Sequence, residues 1–198
     1  IIFDVGGATT DLHSVTEGSS EINSILISPE PVAKRTVEGD LGVYVNVSHI
    51  VEKIGMDNLK KEFPDAEELL ENYKPIPKTD REKQFVERLT KEAVHTSLER
   101  HAGKLRYFYT ASGKKTVAEG KDLTAIQYII GTGGSLTRLP DKKDILESVK
   151  TLAKEHELYP TEAARVLIDE DYILSSLGVL SKSYLSDALY LMKNSLRM

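Results

Sequence analysis

Twice in this chain an apolar run stops at consecutive glycines and passes into hydroxyl residues. The first instance is Phe3-Asp4-Val5-Gly6-Gly7-Ala8-Thr9-Thr10-Asp11, and the second is Ile130-Gly131-Thr132-Gly133-Gly134-Ser135-Leu136-Thr137-Arg138. A short apolar run bounded by glycine reads as a buried strand. Glycine after it permits positive φ and close backbone approach, so that successive N–H groups can converge on an anion. Either segment alone reads as readily as a plain packing turn. Two of them, with different chemistry around the glycines, point much more strongly to a ligand-binding α/β protein.

Neither segment is a P-loop, because no Gly-Lys-Ser/Thr follows at the required spacing. Neither is a dinucleotide fingerprint, because no G-x-G-x-x-G opens a βαβ unit with an acidic residue further on. In the first, Asp4 ends the strand beside a turn that can hold phosphate oxygens, where a carboxylate can face a hydrated metal ion. In the second, the glycines lead into a helix, whose start favours polar or anionic groups. Cysteine is absent, which excludes disulfides, thiol nucleophiles and Cys-based zinc sites. A net charge of −5 argues against a dedicated nucleic-acid binder. No run is long enough to span a membrane and no charged-then-apolar leader is present, so the composition fits a soluble, cytosol-compatible protein. The chain opens at Ile1 inside an apolar segment and reads as a piece of a longer protein.

Between and around the turns, strand and helix signals alternate. Residues 1–5 read as a buried strand, 11–15 as its returning partner, 17–20 as loop and 32–37 as a third strand. Glu38-Gly39-Asp40 forms a turn and cap before a helix expected over 42–54, although its β-branched residues also suit strands. Residues 56–80 are polar and broken by three prolines, with one short helix at 66–72. After Thr79-Asp80, residues 81–102 carry Phe85, Val86, Leu89, Ala93, Val94 and Leu98 at helical spacing. A hairpin is expected from 105–110 and 115–119 around Ser112-Gly113, then a strand at 125–130 and an amphipathic helix at 142–155. A short strand at 166–168 and helices at 172–180 and 185–193 complete the series.

Together the two turns resemble motifs of the actin-like ATPase superfamily, which includes Hsp70 chaperones and sugar kinases. Asp4 to Asp11 is similar to its second phosphate motif, D-[IL]-G-G-G-T-x-D, with Ala8 at the usual third glycine. Gly133-Gly134-Ser135-Leu136-Thr137-Arg138-Leu139-Pro140 resembles its adenosine motif, one residue longer than the chaperones' G-G-S-x-R-[IL]-P. Glu38-Gly39-Asp40 is similar to the Gly-Gly-Glu/Asp that precedes a helix between those motifs. The resemblance implies ATP and Mg2+ as cofactors, with Asp4 as the catalytic residue and water-mediated metal contact. It implies nucleotide contacts at Gly6, Gly7, Ala8, Thr9, Thr10, Gly39, Asp40, Gly133, Gly134, Ser135 and Arg138. In the chaperone pattern the long helix faces the adenine, and Glu92 and His95 fall near those positions. The bland alternative for both is a solvated helix face. Tyr107, Phe108 and Tyr109 read as hairpin packing rather than base stacking.

A narrower resemblance is to the GlmL/MutL family of glutamate-mutase-associated proteins, unrelated to mismatch-repair MutL. It is carried by Asp4 to Ser14, in which Ala8 is usual, by Arg35 to Gly42, and by Asp171-Tyr172-Ile173-Leu174 followed by Leu177-Gly178. It implies a bacterial, cytoplasmic, chaperone-like reactivating factor that exchanges damaged cobalamin in an adenosylcobalamin-dependent mutase of the ornithine, lysine or glutamate type. The implied fold is an α/β actin-like ATPase (ribonuclease H-like) lobe with a mixed central sheet flanked by helices. Its core would be residues 1–42 and 123–198, with a helical and hairpin subdomain inserted at 43–122. The implied partners are the mutase and a first lobe carrying an earlier phosphate motif. A lobe of a small-molecule kinase or hydantoinase-type hydrolase, or a non-catalytic assembly subunit, remains the alternative.

Overall fold

The strand before the first glycine turn and the one after it pair directly. β1 (Ile2–Val5) returns antiparallel as β2 (Thr10–Val15), with Asp4 opposite Asp11. These facts come from a computed structural model that describes residues 1–111, 113–152 and 156–198. A one-turn helix, α1 (Ser20–Asn23), starts inside the expected loop because the Ser19 hydroxyl caps it. β3 (Ala33–Glu38) then pairs antiparallel with β2.

The helix expected over 42–54 is shorter. A 3-10 turn at Gly39–Leu41 comes first, and α2 occupies only Val47–Ile54. The residues between are held by the first glycine turn. Val43 donates its N–H to the Gly6 carbonyl, and Tyr44 and Val45 donate theirs to the Gly7 carbonyl. Gly55, at φ +84°, ends α2 and opens α3 (Met56–Glu62), a helix the polar stretch concealed. α4 (Ala66–Glu71) falls where a short helix was expected, and α5 (Asp80–His101) is the long helix, started by a capping box between Thr79 and Glu82. β4 (Lys104–Thr110) and β5 (Gly113–Glu119) form the antiparallel hairpin. Ser112, expected in its turn, lies outside the described residues.

β6 (Tyr128–Thr132) runs two residues further than the periodicity indicates, so Gly131 and Thr132 belong to the strand. They pair with Phe3 and Asp4 of β1 in parallel register. The second turn passes at once into α6 (Gly133–Arg138), the helix into which the glycines are expected to lead and which begins at Gly133 itself, and then into α7 (Lys142–Glu147). A second 3-10 turn at Ser148–Thr151 replaces the rest of the helix expected over 142–155, whose last three residues lie outside the described chain. β7 (Arg165–Ile168) lies parallel beside β6, and α8 (Leu174–Leu180) and α9 (Leu185–Ser195) follow. The expected helix start at Tyr172 is displaced because that residue sits at φ +53°, outside helical space.

The sheet order is β3-β2-β1-β6-β7, antiparallel on one side of β1 and parallel on the other. This is a mixed α/β fold with helices packed on the sheet. Phe3, Leu12 and Ile129 from the sheet share one buried cluster with Ile50, Leu59, Phe85 and Leu89 from residues 43–122.

His101 ends α5 and pins it to the sheet. Its Nε2 lies 2.8 Å from the Ser14 hydroxyl and its Nδ1 2.9 Å from that of Thr36, with the residue fully buried. Burial, with nearby Lys34 and Lys121, lowers its pKa from 6.5 to about 4. The folded state therefore holds the neutral ring, and the unfolded chain takes up the proton first on acidification. Stability from this group is complete above about pH 6.5 and declines as pH falls toward about 4. Urea titrations at pH 8 and pH 5 are expected to differ by about 2 kcal/mol from His101. A His101→Gln variant that keeps the full acid sensitivity would contradict that assignment.

Candidate functional site

Parallel β1 and β6 are neighbours, so the glycine turns at their carboxyl ends meet. In α/β sheets this edge is where ligands bind. The contact is tight. Gly133 stands at φ +87°, and a Cβ there would lie 2.5 Å from the Val5 carbonyl oxygen and 2.6 Å from Asp4 Oδ1. Gly134 differs, because nothing lies within 4 Å of the direction its side chain would take.

The first turn is closed by the Gly6 N–H donating to the Thr9 carbonyl at 2.9 Å. Among the described residues, the N–H groups of Gly7, Ala8 and Thr9 have no acceptor. Behind the turn, Gly42 packs flat on the Ala8 backbone, where a Cβ would come within 2.2 Å of it. The Asn46 amide donates to both the Ala8 and Gly39 carbonyls, so the Gly39–Asp40 segment braces the first turn.

Between the two turns lies a pocket of about 130 Å³. Gly7 lines it from the first turn and Gly134, Ser135 and Arg138 from the second. Tyr44 and Tyr73 stack at 5.9 Å on its side, and Lys83 and Val86 of α5 complete it. Tyr73 donates its hydroxyl to the Val43 carbonyl at 2.6 Å, and burial pushes its pKa up, so it stays a neutral donor. A groove of about 510 Å³ adjoins this pocket through Tyr73, Lys74, Pro77 and Val86, and one of about 520 Å³ lies elsewhere, but neither includes a residue of a glycine turn.

Asp4 is half-buried at the edge of this site. Burial first, and then the negative charge of Asp11, raise its pKa above the ordinary carboxylate value. Asp11 itself is held by Arg35, whose guanidinium donates to it at 2.6 and 3.0 Å. The Asp4 carboxylate accepts no hydrogen bond from the described residues, which leaves it free for a water or a ligand.

The other sequence candidates divide by what already occupies them. Thr10 is buried, and its hydroxyl donates to the Leu41 carbonyl at 2.7 Å, so it buttresses the turn. Asp40 is engaged by Arg100 through two hydrogen bonds at 2.7 and 2.8 Å, which hold its pKa below the usual range. Glu92 pairs with Arg88, and His95 with the Ser148 hydroxyl, and neither lines the pocket. From α5 the pocket takes Lys83 and Val86, about two turns nearer the helix start. Val86 is read from the sequence only as part of the buried helical stripe, and Lys83, Tyr44 and Tyr73 carry no local signal that marks them as site residues.

These features define an α/β domain that gathers two glycine turns, an unpartnered carboxylate and an aromatic-lined pocket at the carboxyl edge of parallel strands. The chain belongs to the MutL protein family, whose model matches residues 1–196. It is 34% identical to Protein MutL of Clostridium tetanomorphum over 207 aligned positions, covering 99% of this chain. The chain spans 45% of that relative's length. No solved structure matches it significantly. No helix among the described residues is long and apolar enough to cross a membrane.

Proposed function

We propose that this domain is an ATP-binding lobe of the actin-like ATPase type, acting within a cytoplasmic, chaperone-like reactivating factor for an adenosylcobalamin-dependent mutase. The observation that carries the reading is the convergence of Gly7 and Gly134 on one pocket. At about 130 Å³ the pocket is smaller than a whole small-molecule site, which usually takes a few hundred Å³. It suits the base or ribose end of a nucleotide, with the phosphates outside it. The residues present fit such a ligand. Gly134 leaves open space, Arg138 and Lys83 bring positive charge, and the free N–H groups of Gly7, Ala8 and Thr9 can face phosphate oxygens.

Mg-ATP, when bound, would supply the phosphoanhydride bond and the charge that polarises it. Asp4 would accept hydrogen bonds from water around the cation and orient that water. Among the described residues no group of three metal-ligating side chains forms, so Asp4 would act through water and not as part of a protein cage. The mutase and an opposing lobe are the partners this reading requires.

The test is calorimetric titration of Mg-ATP into the full natural polypeptide carrying these residues. Gly134→Val is expected to weaken binding at least about tenfold while leaving the melting temperature within a few degrees, since the branched side chain enters open pocket space. Equal affinity in both proteins would make this turn a packing device.

A further inference from the structure

Asp169 follows the last residue of β7, is fully buried, and takes two hydrogen bonds on each carboxylate oxygen. Oδ2 accepts from the Thr132 hydroxyl at 2.8 Å and from the Leu174 N–H at 3.0 Å. Oδ1 accepts from the Ser195 hydroxyl at 2.5 Å and from the Ile173 N–H at 3.2 Å. Its own N–H donates to the Gly131 carbonyl at 2.9 Å. One carboxylate thus joins the end of β6, the start of α8 and the end of α9.

Thr132 is the residue just before Gly133 and occupies the N-cap of α6. A threonine there ordinarily folds its hydroxyl back on the helix's own N–H groups. Here it makes no such bond and donates to Asp169 instead. The glycines that follow have no side chain with which to fix themselves. Their setting depends on the residue that precedes them.

We propose that Asp169 is a positioning residue for the second glycine turn, holding Gly133 and Gly134 through Thr132 in the arrangement that forms the pocket wall. The consequence for ligand affinity rests on reading that pocket as the nucleotide site. A turn without its anchor must be ordered anew at each binding event, and that entropy is subtracted from affinity. Asparagine at 169 keeps the shape but must direct an NH2 group at one of the two backbone donors, Leu174 or Ile173, which cannot reverse. Its loss therefore spreads beyond a single bond.

The experiment combines amide hydrogen exchange without ligand and calorimetric Mg-ATP titration, on the full natural polypeptide. Asp169→Asn and Thr132→Val are each expected to speed exchange at the amides of Thr137 to Leu139, which end the short helix begun at Gly133, and to weaken Mg-ATP about tenfold. Thr132→Ser, which retains the hydroxyl, should restore both readings. Ser195→Ala removes the other branch and should lower the melting temperature while sparing exchange at the turn. Wild-type exchange at Thr137 to Leu139 in Thr132→Val would overturn the proposal, as would a Ser195→Ala loss of affinity equal to that of Asp169→Asn. A wild-type protein that binds no Mg-ATP would remove the nucleotide reading instead, and the exchange comparison would still decide whether Asp169 holds the turn.

Discussion

Replacing Gly133 by alanine is expected to destabilise the protein by about 4 kcal/mol, whereas the same change at Gly134 stabilises it by up to about 1 kcal/mol. The neighbours differ in two physical respects. Gly133 holds φ +87°, where an L side chain costs about 1–3 kcal/mol, and its Cβ would collide with the Val5 backbone and the Asp4 carboxylate. The contact with Val5 is with main chain, so it cannot be relieved by a rotamer change, and overpacking of this kind costs about 1–3 kcal/mol more. Gly134 lies inside α6 with nothing within 4 Å, so alanine there gains helix propensity without a clash. Thermal melts separate the two. For a chain of this size about 4 kcal/mol corresponds to a fall on the order of 10 °C. A Gly133→Ala protein that melts with the wild type would mean that β1 and the second turn are not in the close contact described.

That pair of glycines also shows what the sequence could and could not reveal. Both were visible as a turn after an apolar run, and the strand order that brings them to Asp4 was not. Juxtaposition came from β6 pairing parallel with β1 across more than a hundred residues, which no local pattern encodes. Elements with their own caps were legible. α5, with Thr79 and Glu82 closing its start, falls within a residue or two of the expectation. The segment 42–46 misled because its amides bond to Gly6 and Gly7, a tertiary demand that overrode its place in the helical pattern. Gly131 was read as turn, although it lies in the strand with its open side under Leu146, where a Cβ would come within 2.6 Å.

The candidate site was legible to the same degree. Residue types in the two turns were readable, but which side chains face outward was not. Thr10 and Asp40 belong to the motifs by sequence, yet their polar atoms are taken by Leu41 and Arg100. Along α5, helical spacing gave the buried stripe, but the crossing of the helix over the sheet decides which turn reaches the pocket. It is the turn of Lys83 and Val86, not that of Glu92 and His95.

Asp4→Asn, made in the full natural polypeptide, is expected to lower magnesium-dependent ATP hydrolysis about a hundredfold, equivalent to about 2.7 kcal/mol of barrier. ATP affinity should change far less. An amide keeps the size of the carboxylate and most of its contacts, but it cannot balance a cation or orient its water in the same way. A second signature separates this from general damage. The Asp4 carboxylate is half-buried, has no hydrogen-bond partner among the described residues, and lies near the negative charges of Asp11 and Asp169. Its pKa is raised in the folded state, so any stability it contributes is complete below the ordinary value of 3.8 and lost as pH rises through the folded one. At neutral pH the ionised group therefore weighs against folding. Removing that charge should raise the melting temperature of the empty protein at pH 7, and the gain should vanish below about pH 3.8. A residue kept for packing shows the reverse, a loss of stability on replacement. Gain of stability with loss of turnover is what a functional carboxylate at a strand end predicts. Unchanged turnover and unchanged magnesium dependence in the variant would remove Asp4 from the site.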